Sequence, residues 1–122
     1  MSEEFLRVAR QEIQSEIDRL NEIFLTCTND EQLYEKSIEI EKHTHKIKGL
    51  APMMEQEKVG EVAKIIDIIL KHVSSHGMLK GSHGITTDAI KIMSGLFSGQ
   101  DNIQIDDFRK HVRDSYPQIL GF

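Results

Sequence analysis

Residues 59–73 read VGEVAKIIDIILKHV. Val59, Val62, Ala63, Ile66, Ile69, Leu70 and Val73 recur at steps of three and four, the spacing of one helical face. Ile65 and Ile68 widen that face, so this helix is expected to be central and contacted from more than one side.

The same period extends outward in both directions. Phe5, Ala9, Ile13, Ile17, Leu20, Ile23 and Phe24 form a stripe of about six turns, ending near Thr26. TNDE at 28–31 offers a capping box, Thr28 with Glu31 three residues on. The helix that follows carries Leu33, Ser37, Ile40, Thr44 and Ile47 on one side. SSHGMLKGSHG at 74–84 has three glycines and no stripe, and reads as a loop of about ten residues. TTD at 86–88 can cap a helix with Ala89, Ile90, Met93, Leu96 and Phe97 on one face. SGQDN at 98–102 is a turn. DDFRKHVRDSYPQIL at 106–120 is a last helix that Pro117 should end or kink.

No stretch alternates with period two for long enough to argue for a strand. The expected architecture is all-α: an antiparallel four-helix bundle with an additional C-terminal helix. We read residues 1–122 as one domain, with a core over about 3–100 and an accessory helix over about 104–120.

Net charge is −5, from 15 Lys and Arg against 20 Asp and Glu. That balance disfavours nucleic acid, whose backbone is bound mainly through Lys and Arg. Cys27 is the sole cysteine, which excludes an intrachain disulfide and a cysteine-based zinc site. MSEEFLRVARQEI at the start lacks a signal-peptide core, and no apolar run is long enough for a membrane span. The expectation is a cytoplasmic protein without membrane insertion.

The chemistry concentrates in EKHTHKIKGLAPMM at 41–54. His45 lies one residue off the stripe of Ile40, Thr44 and Ile47, at the edge between core and water. Its helical neighbours are Glu41, Lys42, Lys48 and Gly49. Alone, it reads as a solvated residue paired with Glu41. A neutral imidazole is also a competent nucleophile near neutral pH. Lys42 and Lys48 would bracket an anion on the ring. Gly49, at a cost of ~1 kcal/mol relative to Ala, would let another backbone approach. Lys42 and Lys46 otherwise read as solvated cations adding positive potential. His43 lies ~200° round the helix, beside Lys46 and Ile47, and cannot share a ligand with His45.

His45-Lys46-Ile47-Lys48-Gly49-Leu50-Ala51 resembles the signature of histidine phosphotransfer (HPt) domains, a histidine with lysine three and glycine four residues later. The run HKIKGLAPMMEQEKVGEVAKIID at 45–67 is similar to the N-terminal phosphotransfer domain of chemotaxis histidine kinases. The resemblance covers about residues 3–100. It implies that His45 is the phosphoacceptor, fed by a histidine kinase catalytic domain and discharged to an aspartate of a response-regulator receiver domain. It implies that Lys48 steadies the phosphoryl charge and Gly49 gives access. It further implies that an acidic residue of the next helix, here Asp67 in place of a glutamate, holds the other ring nitrogen. A histidine found in some members three residues before that position is Lys64 here.

Two positions depart from the pattern. Pro52 and Glu55 stand where a glycine-containing turn is usual, so the histidine helix should kink at Pro52 or stop near Leu50. Residues 103–122 have no assignable counterpart.

The expected function is therefore a phosphoryl carrier in a two-component, chemotaxis-type phosphorelay. It would be a monomer with no cofactor and no metal. It would not be an enzyme in its own right, although it could be a piece of a larger kinase. HGMLKGSHG at 76–84 lacks the spacing of a phosphate-cradling loop. Leu50 and Met53 would offer apolar docking surface, while Met53 and Met54 read first as plugs for the end of the core. The alternative is a diverged interaction module that binds a kinase or receiver without relaying phosphate. A third reading uses His72, His76 and His83 as metal ligands, but lacks a complete ligand set.

Overall fold

The computed structural model describes residues 2–100 and 102–120, and every regular element in them is helical. The helices are α1 (Glu3–Phe24), α2 (Asp30–Glu35), α3 (Ser37–Leu50), α4 (Glu57–His76), α5 (Ser82–Phe97), α6 (Asp106–Ser115) and α7 (Pro117–Leu120), with a 3-10 turn at Pro52–Met54. Among the described residues no helix is long and apolar enough to cross a membrane.

Helix α3 packs most extensively on α4; α1 packs on α3, α4 on α5, and α5 back on α1. The seven residues of the main α4 stripe are all fully buried, and Ile65 is nearly so. Its widened face is explained by the chain end. Ile105, Phe108, Val112 and Tyr116 join the same buried cluster, and α7 packs on α4. Arg109 Nε donates to Glu61 Oε1 at 2.8 Å, tying α6 to α4. Pro117 divides the expected single C-terminal helix into α6 and α7.

Three boundaries differ from expectation. The cap after α1 is shifted by one residue. Asn29 Oδ1 accepts from Gln32 N–H, so Asn29 is the cap, while Gln32 Oε1 reaches one residue further back and accepts from Thr28 N–H. The helix that follows is broken at Lys36, where ψ is 8° and the Ser37 hydroxyl donates back to Tyr34 O. Finally, the loop after α4 is only residues 77–81, because α5 starts before the TTD cap. Thr86 lies inside α5, its hydroxyl donating to Ser82 O at 2.8 Å.

The early start of α5 has a cause distant in sequence. The Asp30 carboxylate accepts from Gly81 N–H at 2.9 Å and His83 N–H at 2.8 Å. A carboxylate supplied by α2 thus satisfies donors that open a helix elsewhere.

Helix α3 stops at Leu50, as Pro52 requires, and the turn ends on Glu55 with φ of 59°. The Pro52 ring lies against Gly60 of α4, where a Cβ would sit 3.1 Å from its Cγ. The contact seats the α3 terminus on α4 and fixes how far the histidine helix runs.

Asp30→Ala removes the shared cap and is expected to lower stability by about 1–2 kcal/mol, measured by urea denaturation. Unchanged stability would mean that water satisfies those two donors equally well.

Candidate functional site

His45 reaches the surface because Thr44 and Ile47, on either side of it along α3, are fully buried. Its side chain is 57% exposed, and its Nδ1 lies 3.5 Å from Asp67 Oδ2 on α4. The aspartate therefore reaches the ring, but only to the outer limit of hydrogen bonding. With Nδ1 turned towards α4, Nε2 is the ring nitrogen on the opposite edge.

Asp67 is 1% exposed and is surrounded by cations. Lys48 Nζ donates to its Oδ2 at 3.2 Å, and Lys71 Nζ lies 3.1 Å from the same oxygen. The buried Thr44 hydroxyl is 3.5 Å from Oδ1 and donates to Glu41 O at 3.1 Å. Burial pushes the Asp67 carboxyl up, but hydrogen bonds from Glu41, Lys71, Lys48 and His45 outweigh it and leave it below its ordinary value.

Glu41 is the second carboxylate. It lies 3.9 Å from His45 Nδ1 and 3.6 Å from Lys71 Nζ. Burial, then its hydrogen bond to Asp67 and the charge of Asp67, raise its pKa against the opposing pull of Lys71 and His45. The pair is thus differentiated: Asp67 holds the negative charge, and Glu41 is the readier of the two to take a proton.

Of the residues expected from sequence, His45, Lys48 and Asp67 come together. Gly49 lies one turn along α3, and a Cβ there would meet no atom within 4 Å. Open space adjoins the ring. Lys71 and Glu41 complete the cluster. Lys71 was legible only as the residue one turn beyond Asp67 on the same helix. Lys64 is exposed and makes no part of the cluster.

The two histidines of α3 do diverge. His43 Nδ1 is bonded to Glu16 Oε2 of α1, and Lys46 Nζ lies 3.3 Å from Glu16 Oε1. Lys46, expected to be solvated only, is therefore engaged. Of the two methionines, Met54 packs against the core, while Met53 is 43% exposed and does not plug it. Leu50 lines a shallow apolar groove with Phe5, Val8 and Ala9 of α1.

The other histidines do not assemble. His72 and His76 stack with ring centroids 4.2 Å apart, and His76 Nδ1 faces His72 O. His83 Nε2 bonds Cys27 O at 2.7 Å. Among the described residues, the one group able to offer three metal-ligating atoms is Glu41, His45 and Asp67. A cation there would have to displace the Lys48 and Lys71 ammonium groups from Asp67.

Two variants probe this arrangement. Gly49→Ala should leave the fold intact and raise stability by up to about 1 kcal/mol, read by thermal unfolding. Asp67→Asn should lower stability by about 1–3 kcal/mol near neutral pH. Because folding lowers the Asp67 pKa, the native state holds fewer protons there than the unfolded chain. Its contribution is present above the ordinary carboxylate pKa and lost as pH falls below about 4. The gap between wild type and Asp67→Asn should accordingly narrow on titration from about pH 6 to about pH 3.

No protein-family model, curated protein or solved structure matches the chain.

Proposed function

We propose that the chain is a histidine phosphotransfer module that accepts a phosphoryl group on His45 and passes it to a receiver-domain aspartate. The observation that carries this reading is the His45 ring itself. It is largely exposed, one nitrogen faces a buried carboxylate, and a lysine three residues on shares that carboxylate. A carboxylate on Nδ1 favours the tautomer with the proton at Nδ1, leaving the Nε2 lone pair for attack.

In the transfer, Nε2 attacks phosphorus and the donor's bond to phosphorus breaks, its electron pair leaving with the donor. The Nδ1 proton stays directed at Asp67. Lys48 and Lys71 sit where they can turn towards the negative charge gathered at the ring. In the onward step a carboxylate oxygen of the receiver attacks the same phosphorus and the N–P bond breaks. Gly49 leaves room for that partner, with Leu50 and Met53 as nearby apolar surface.

The packing of α1, α3, α4 and α5 in a closed circuit, with short connections between α3, α4 and α5, supports an antiparallel four-helix bundle. Helices α6 and α7 are then accessory, covering α4. On this reading the module is a cytoplasmic, monomeric carrier. It uses no cofactor or nucleic acid and depends on a kinase domain for phosphate.

The 3.5 Å separation of His45 and Asp67 favours one other reading, an interaction module that binds such partners without relaying phosphate. The two separate on one experiment. The chain is incubated with a chemotaxis-type kinase and ATP, or with phosphorylated receiver domains, and modification is mapped by mass spectrometry under alkaline conditions. The relay predicts phosphate on His45, its loss in a folded His45→Gln variant, and labelling about 10- to 100-fold slower in Asp67→Asn. Transfer to His45→Gln at the wild-type rate would overturn the assignment.

A further inference from the structure

The surroundings of His45 are repeated two residues earlier on α3, facing a different helix. The sequence KHTHKIK at 42–48 contains two overlapping His-x-x-Lys pairs, His43 with Lys46 and His45 with Lys48. In each, a buried carboxylate from a neighbouring helix meets both residues. Asp67 of α4 serves His45 and Lys48. Glu16 of α1, with a side chain 8% exposed, serves His43 and Lys46.

The correspondence extends to the ring atoms. His43 is bonded to Glu16 through Nδ1, as His45 faces Asp67 through Nδ1. The bond directs the Nδ1 proton to the carboxylate and leaves Nε2 as the bare nitrogen. Lys46 Nζ lies 3.3 Å from the other Glu16 oxygen and is 56% exposed, free to swing towards an anion on the ring.

Access distinguishes the two sites. His43 is 18% exposed against 57% for His45. The residue four beyond His45 is Gly49, with open space at its Cβ position; four beyond His43 is the buried Ile47. A protein's active site needs a broad approach to the ring, whereas a small phosphodonor needs only a path to one nitrogen.

We propose that His43 is a second phosphoryl-accepting histidine, restricted to small phosphodonors such as phosphoramidate. The inference rests on the reading that a carboxylate-held imidazole with a lysine three residues on is nucleophilic in this fold. In the step, His43 Nε2 attacks phosphorus, the P–N bond of phosphoramidate breaks, and ammonia leaves after taking a proton from solvent. The Nδ1 proton remains on its bond to Glu16, and Lys46 pairs with the new phosphoryl oxygens.

The test uses the full chain with phosphoramidate, alkaline handling and site mapping by mass spectrometry. Wild type should carry phosphate on His45 and, at least tenfold more slowly, on His43. His45→Gln should retain the slow label on His43. His43→Gln/His45→Gln, checked for folding by circular dichroism, should lose both. Glu16→Gln, checked likewise, should slow His43 while His45 still labels. Label on His45 with none on His43 in wild type or His45→Gln overturns this inference and leaves the His45 assignment standing. Absence of label from both residues overturns the two together.

Discussion

One carboxylate joins the fold to the candidate site. Asp67 lies on α4, with fully buried Ile66 and Ile69 nearby, and is itself 1% exposed. An ionised group in that position is tolerable only when paired and hydrogen-bonded. Lys48 and His45 of α3 and Lys71 of α4 supply those partners. The interaction therefore works in both directions: α3 satisfies the buried charge, and the buried charge faces the His45 ring of α3.

The rest of the architecture holds that crossing in place. Pro52 ends α3 and packs on Gly60 of α4, which fixes the relative advance of the two helices. Helix α7 packs on α4 and α6 residues join the same buried cluster, so Ile65 is buried and Ile68 partly so, while Asp67 and Lys71 meet α3. The Asp30 cap joins α2 to the start of α5, and the Tyr116 hydroxyl donates to Lys80 O at 2.6 Å just before it. These contacts constrain the ends of helices whose middles are held by apolar packing.

What the sequence disclosed follows from the range over which each signal acts. The helices were legible because apolar periodicity is a local property of residues such as Val59 to Val73 and Ile13 to Leu20. The stop at Leu50 was legible from one proline. His45, Lys48 and Gly49 were legible because all three sit within one turn of each other. The start of α5 was not, since its cap comes from Asp30, which is distant in sequence. The break at Lys36 depends on a Ser37 hydroxyl choosing a backbone acceptor. Glu41 was legible as a helical neighbour of His45, but its link to Lys71 appears only when α3 and α4 are brought together. Glu16 is similar: it stands beside Ile17 on α1 and reads as an edge residue until His43 and Lys46 are found opposite it.

The most direct test of the account concerns the proton on His45. Nitrogen-15 NMR of imidazole-labelled protein at about pH 9, well above the ordinary imidazole pKa of ~6.5, reports which ring nitrogen is protonated in the neutral form. If Asp67 holds Nδ1, His45 will show the Nδ1–H tautomer, and Asp67→Asn will shift it towards the mixture of an unconstrained ring. A His45 signal with the proton on Nε2, or one unaltered by Asp67→Asn, would contradict the claim that this carboxylate prepares the ring for attack.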